Sequence, residues 1–502
     1  VDLENINFAD EKSFALLGTG KTRGVFQVES PGMIDTLVKL KPSNLEEVIA
    51  VIALYRPGPM ELIDSFIKRK KGEEEIIYDH PLLEPILKET FGIIVYQEQI
   101  MKIAQVIAGY SLGEADLLRR AIGKKIKSEL MNLKESFIKG ASKKSINVKD
   151  SEKLFSLIEK FANYGFNKSH AAAYAVITFY TAYLKAHFPL EFYCQLLNNS
   201  SNDTDKIFSI MNEISLMKIE ILPPDINTSH YKFIIKDNKI MYSLSAVKGV
   251  GIESMKELVL ERNANGFFKS IADFNKRLPQ SVLNKKQIEK LILSNAFNSL
   301  YSNKNVLMAN LEEILKKMDT NSLFEDDISD EQFLNKNMSI ELDDIKSEFE
   351  SYGFLFSTRK QTDLLSKINN SNFAELTSAK IEFKNSFYFY VIKIQYKTTR
   401  NGKRFILLTV INESGKFDLR LFDDDVDASS FQANFVKIGI KSSNKDDFYN
   451  QNITDISVFS ESALLSKITN FTYNDMLDLN LEEKDSDYTI KGNNGLIKIS
   501  LH

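Results

Sequence analysis

Four basic residues, Arg119, Arg120, Lys124 and Lys125, crowd one stretch of the 502-residue chain, and Asn167, Lys168 and His170 gather ahead of a run of alanines. Cations and amide donors at such spacing suit one kind of chemistry, the holding of phosphate. Between Ala115 and Ser145 nine basic side chains face Asp116, Glu129 and Glu135, a local net charge of +6 in a chain whose total is −4. A solvated helix face with cations near its C-terminus would carry the same charge. What favours phosphate is Gly165-Phe-Asn-Lys-Ser-His-Ala171, where Ser169 can cap a helix running to about His187. The first N–H groups of a helix are unpaired and its dipole is positive there, so an anion is favoured even before Lys168 adds a full charge. An ordinary capping or core-edge histidine would equally account for His170. Alanines at 171 to 173 and 175 leave room for close approach by a ligand or another helix.

These groups need elements to position them. Tyr96-Gln-Glu-Gln-Ile-Met begins one helix, and Ser111 with Glu114 forms the capping-box pattern that starts a second. Leu112, Ala115, Leu118 and Ile122 recur there at helical spacing, and Gly123 is the expected stop. Upstream, Ser43 to Leu54 reads as an amphipathic helix broken by Arg56-Pro-Gly-Pro. Arg56 in that turn is either a contact to nucleic-acid backbone or an exposed structural corner. Ala15 to Thr22 fits the relaxed P-loop pattern but is rejected: a helix precedes it and Gly24 to Val28 reads as a strand, the reverse of what a P-loop requires. Helices dominate to about Lys218.

Leu222-Pro-Pro-Asp-Ile-Asn marks a boundary, and the segments around Tyr231 and Lys239 alternate as a hairpin across Lys236-Asp-Asn-Lys. In Ala246-Val-Lys-Gly-Val-Gly-Ile252, backbone amides at Gly249, Val250 and Gly251 can approach a phosphate with Lys248 as counter-charge, although a tight interhelical turn without a ligand has the same pattern. A second such element spans Leu283 to Phe297. From Asp319 to Glu348 ten carboxylates face two lysines, the composition of a mobile connector. Strand patterns prevail from Ala379 to about Ser460 and suggest a small closed barrel, in which Tyr388, Tyr390 and Phe405 are either core or stacking platforms.

Composition bounds the rest. The length and 43% hydrophobic content suit about three domains. A single cysteine, Cys194, leaves no internal disulfide or thiolate-rich zinc site and fits a reducing cytoplasm. No signal-like start or transmembrane stretch occurs, and a first residue of Val1 suggests processing or a segment of a longer chain.

Several long motifs, in one order, resemble the C-family of bacterial replicative DNA polymerases, that of the DNA polymerase III alpha subunit. They are Gly24-Val-Phe-Gln-Val-Glu-Ser30, Ala53-Leu-Tyr-Arg-Pro-Gly-Pro59, Gly92-Ile-Ile-Val-Tyr-Gln-Glu-Gln99, Leu118-Arg-Arg-Ala-Ile-Gly-Lys-Lys125, Gly165-Phe-Asn-Lys-Ser-His-Ala171 and Leu222-Pro-Pro-Asp-Ile-Asn227. The likeness fades after about residue 460. It implies a multidomain, mainly α fold followed by a small β-barrel of the OB type. The divisions are a fingers region over 1–218, a helix-hairpin-helix domain over 219–318 and an acidic connector over 319–350. The OB domain with its lead-in then covers 351–460, and a partial C-terminal region 461–502.

The resemblance also implies function. Arg119, Arg120, Lys124, Lys125, Asn167, Lys168 and His170 would hold nucleotide and template phosphates. Lys248, Gly249, Val250 and Gly251 would bind duplex backbone, with Asn295 standing where the family's second hairpin usually has glycine. Leu323 and Phe324 in Thr320-Asn-Ser-Leu-Phe324 would anchor a sliding clamp, with Thr320 where glutamine is typical. Mg2+ would be held by palm aspartates upstream of the matching region, leaving no catalytic residue in this chain and the segment alone inactive. The implied partners are primer-template DNA, dNTPs, the clamp and other replicase holoenzyme subunits, in the cytoplasm and without a membrane. Two other readings share these motifs: a non-catalytic clamp-tethered DNA-binding protein, and an error-prone paralogue of the same family.

Overall fold

The computed structural model describes residues 1–124, 127–162, 164–321, 334–340, 342, 344–354, 356, 385–399, 402–412, 415–421, 435–441, 452–459, 481–484, 487–492 and 495–500. Two compact units divide the chain, one of Val1–Asn199 with Ser209–Glu220, the other of Ser200–Phe208 with Ile221–His502.

The first unit is helical, with α1 (Glu11–Gly18), α2 (Pro31–Leu40), α3 (Leu45–Leu54), α4 (Ile63–Lys71), α5 (Glu84–Leu87), α6 (Gln97–Ala108), α7 (Leu112–Lys124), α8 (Lys127–Ser142), α9 (Val148–Ala162), α10 (Lys168–His187) and α11 (Pro189–Asn199). Helix α12 (Thr204–Leu216) contributes its second half. Local side chains set the boundaries. Asp10 accepts from the Ser13 amide to start α1, and Asn44 accepts from the Glu47 amide to start α3. The α3 cap is therefore Asn44, while Ser43 donates its amide back to Glu47.

Apolar faces collect into two cores. In one, α10 packs on α3 and α1 through Ala171, Ala175, Phe179 and Ala182, so two of the alanines noted above serve helix contact. In the other, α6 to α9 enclose Tyr110, Phe137 and Phe155, whose rings meet edge to face with centroids 6.2 and 5.5 Å apart.

Two expectations fail here. Residues Gly24 to Val28 form turns rather than a strand, because Gly24 (φ +72°) and Gln27 (φ +68°) are left-handed, and Thr22 closes the curl by donating to the Val28 carbonyl at 2.7 Å. The P-loop reading falls all the same, since α1 precedes the segment and no strand does. Gly123 does not end α7, which runs through to Lys124. A single helical glycine costs about 1 kcal/mol, which the buried Leu118 and Ala121 offset by packing.

The second unit opens with a three-stranded sheet, β1 (Ile221–Leu222), β2 (Ile234–Lys236) and β3 (Lys239–Met241), in the order β1-β3-β2. Asp237 and Asn238 both take positive φ, as a two-residue hairpin turn between β2 and β3 requires. Helices α13 (Ile252–Asn265), α14 (Ile271–Arg277), α15 (Lys285–Leu293), α16 (Lys304–Asn321) and α17 (Asp344–Tyr352) follow. The expected mobile connector is thus helical at both ends. Helix α17 buries Ile345, Ser347, Glu348, Ser351 and Tyr352, and the Tyr352 hydroxyl donates to the Ser294 carbonyl at 2.6 Å.

Five strands, β4 (Asn385–Thr398), β5 (Arg404–Asn412), β6 (Gly415–Leu421), β7 (Phe435–Lys441) and β8 (Asn452–Phe459), pair in a ring in the order β4-β5-β6-β8-β7, with β7 returning to β4. Val391, Leu408, Val410, Leu419 and Val436 are buried among them. The last strands, β9 (Leu481–Lys484), β10 (Asp487–Gly492) and β11 (Gly495–Ser500), form a separate antiparallel sheet.

Candidate functional site

The starts of α6 and α10 are fastened by a backbone bridge. Gln97 donates to the Phe166 carbonyl and Phe166 to that of Val95, both at 2.9 Å. Gly165 permits this approach: a Cβ there would lie 3.3 Å from Gln97 Cγ and 3.2 Å from Ile100 Cδ1. The Gln99 side chain folds back to accept from the amides of Val95 and Tyr96 at 2.9 and 3.0 Å, which fixes the entry to α6.

Onto this bridge the basic residues converge. Arg119 on α7 reaches Gln97 Oε1 from Nη1 at 3.2 Å and grips Asp116 through Nε and Nη2 at 3.0 and 2.8 Å. Arg120, more exposed, meets the other Asp116 oxygen at 2.7 Å. Hydrogen bonding from Arg119 holds the Asp116 carboxyl below the usual range. At α10 the Asn167 amide donates to Glu98 Oε1 at 2.8 Å and the Lys168 backbone N–H to Glu98 Oε2 at 3.0 Å. Lys168 Nζ pairs with Glu89 at 2.7 Å and lies 5.3 Å from the centre of the buried Tyr96 ring. His170 is exposed, with its ring 4.5 Å from that of Tyr174.

The arrangement brings Arg119, Asn167 and Lys168 to neighbouring residues, Gln97 and Glu98, of one helix start. The α10 cap is Asn167, whose Oδ1 accepts from His170 N at 2.8 Å, and Ser169 lies inside the helix. Asparagine is as strong a cap as serine, and its position lets one side chain both cap α10 and bind Glu98. The side chain of Lys124 and all of Lys125 lie outside the described residues. Asp116 and Glu89 balance the cations and Glu98 accepts from two uncharged N–H donors; sequence reasoning counted Asp116 without pairing it and missed Glu89 and Glu98. For Asp116 the spacings to Arg119 and Arg120 are a readable signal, whereas Glu89 and Glu98 reach across the fold. Arg56 is committed to its corner. It donates to the carbonyls of Ala53 and Tyr164 and stands 4.8 Å over the Phe166 ring.

In the second unit the turn before α13 carries Lys248, Gly249, Val250 and Gly251. Gly249 is left-handed (φ +82°), Gly251 caps α13, and Val250 is buried. A Cβ on Gly249 or Gly251 would lie 3.4 Å from Lys290 Cγ or Gln287 Nε2 of α15, so this turn seats directly on the second helical element. Asn284 caps α15 with a reciprocal Gln287 contact, and Asn295 adopts φ +62°, the backbone state that glycine would otherwise supply. The Lys248 amide donates to the Ser351 carbonyl at 2.8 Å, and its ammonium lies against Gly353 and 5.8 Å from the Phe349 ring centre.

Leu323 and Phe324 lie outside the described residues, as does the side chain of Tyr388. Tyr390 is buried, and Phe405 is half-buried with the Arg420 guanidinium 5.9 Å from its ring centre. Among the described residues no group of three or more His, Cys, Asp or Glu is arranged to hold a metal ion. Among them, too, no helix is long and apolar enough to cross a membrane.

Comparison with known proteins matches both regions. The family model of the bacterial DNA polymerase III alpha subunit finger domain covers residues 1–145, and that of a helix-hairpin-helix motif covers 218–307. The DNA polymerase III subunit alpha of Buchnera aphidicola (from Schizaphis graminum) is 37% identical over 96% of this chain and 42% of its own length. That of Thermus aquaticus is 46% identical over 63% of the chain and 26% of its own length. That of Chlamydia muridarum is 49% identical over 61% and 25%. The chain thus spans less than half the length of these curated relatives.

Proposed function

The chain belongs to the bacterial DNA polymerase III alpha-subunit family, and on that premise we propose that it supplies the nucleotide and template grip of a replicative DNA polymerase. The whole subunit would synthesise DNA from dNTPs on a template. In this reading residues 1–218 are the fingers, 219–318 the helix-hairpin-helix domain and 319–350 the connector. The ring of strands within 351–460 is an OB-fold. Mg2+ is held by carboxylates outside this chain, the clamp is contacted through Leu323 and Phe324, and the work is done in the cytoplasm with the other holoenzyme subunits.

The observation that carries the reading is the convergence of Arg119, Asn167 and Lys168 on the bridged starts of α6 and α10. Phosphoryl transfer depends largely on positioning and on neutralising charge. Arg119 and Arg120 present planar donors suited to phosphate oxygens, and the first N–H groups of α10 add a fixed dipole. In the second unit, Lys248 and the amides of Gly249 to Gly251 would hold duplex backbone without reading sequence. Replacing Arg119 and Arg120 by Ala in the full polymerase is expected to raise the nucleotide KM or reduce turnover by at least ~10-fold, the loss of about one charge-assisted contact. Steady-state primer extension measures this, and unchanged kinetics would sink the assignment.

A further inference from the structure

The described cations at the junction of α6, α7 and α10 are already matched. Arg119 and Arg120 share Asp116, and Lys168 pairs with Glu89. The start of α10 is matched as well: Glu98 spends one oxygen on the Asn167 amide and the other on the Lys168 N–H, at 2.8 and 3.0 Å. Two oxygens of one anion on two N–H donors at a helix start is how a phosphate group would be held. The protein's own carboxylate therefore sits where an anionic ligand would, and Glu98 is half-buried, so the contact is partly shielded from water.

Resting on the nucleotide-grip reading, we propose that Glu98 is a specificity-determining counter-ion, which a ligand must displace from the start of α10 and which only a polyphosphate displaces well. Exchange of one carboxylate for one orthophosphate replaces one anion by another and gains little. A triphosphate carries further charge that can also recruit Lys168, Arg119 and Arg120 from Glu89 and Asp116, so it gains where orthophosphate does not. Glu98 then favours nucleoside triphosphates over the phosphate and short anions of the surrounding solution.

The test is calorimetric titration of the 502-residue chain with inorganic triphosphate and, separately, orthophosphate. Wild type is compared with Glu98→Gln, Lys168→Ala and the double variant. Glutamine keeps the length and an accepting oxygen but loses the charge. The expected result is triphosphate binding about 5-fold tighter in Glu98→Gln, with a larger gain for orthophosphate so that the preference narrows, and both gains lost in the double variant. If Glu98→Gln binds no tighter while Lys168→Ala weakens triphosphate, the grip stands and the counter-ion role is overturned. If neither substitution changes binding, both are overturned. Should Glu98→Gln lose its cooperative melt, Glu98→Asp replaces it. The shorter carboxylate cannot hold both donors and is also expected to tighten triphosphate, and unchanged or weaker binding would again overturn the role.

Discussion

Lys185 lies near the far end of α10 with no exposed surface, and its environment shows what fixes that helix. Its ammonium donates to the Arg23 carbonyl at 2.6 Å and to Glu213 at 2.5 Å, while the Tyr193 hydroxyl donates to the same Glu213 oxygen at 2.7 Å. The ring centres of Tyr193 and Phe192 are 4.8 and 5.5 Å from Nζ. Burial lowers the Lys185 pKa, and the Glu213 charge opposes that shift. Removing one partner leaves a buried charge uncompensated, so Lys185→Met is expected to cost about 3 kcal/mol by chemical denaturation, and adding Glu213→Gln should recover part of it. Equal stability of the single and double variants would contradict the pairing. Nothing in the sequence announced this network, because Lys185 reads as a last-turn cation and Glu213 belongs to a different helix. Asp116 with Arg119 and Arg120 was readable, since they fall at i, i+3 and i, i+4 on one helix.

The elements follow the sequence where a local side chain decides them. Ser111 and Glu114 make the reciprocal contacts of the capping box, at 2.7 Å from the Ser111 amide to the carboxylate and 3.3 Å in return. Asp237 and Asn238 turn the hairpin as their types suggest. Where tertiary contacts decide, the pattern misled. Gly24 to Val28 alternates like a strand but curls, and α7 passes through Gly123. Gly140 shows the same dependence on context. It lies inside α8, where local propensity disfavours glycine, yet a Cβ there would collide with the Ala108 backbone at the end of α6. Gly140→Ala is therefore expected to destabilise the chain by about 2 kcal/mol despite the better helix former. A thermal melt checks this, and a rise in Tm would mean that α8 and α6 are not in close contact.

At the scale of the molecule, the order of motifs carried more than composition did. A net charge of −4 says little of nucleic acid, and the positive charge is local, with Arg119, Arg120 and Lys168 matched by carboxylates among the described residues. Parts of the finger and helix-hairpin-helix regions were legible because a glycine there meets a backbone requirement. Gly165 allows the α6–α10 bridge, and Gly249 allows the turn before α13. The contacts of Glu98 with Asn167 and Lys168 were not legible, since they join residues far apart in sequence.

Under the proposed function, this chain would grip nucleotide and template for a polymerase whose metal-binding carboxylates lie elsewhere. The most direct measurement is extension of a labelled primer-template with Mg2+ and all four dNTPs, using this chain alone, a palm-containing portion of the family alone, and the two together. Extension only in the mixture, lost on Arg119→Ala with Arg120→Ala, is the predicted result. Extension by this chain alone, or equal extension by the palm portion without it, would contradict the proposed function.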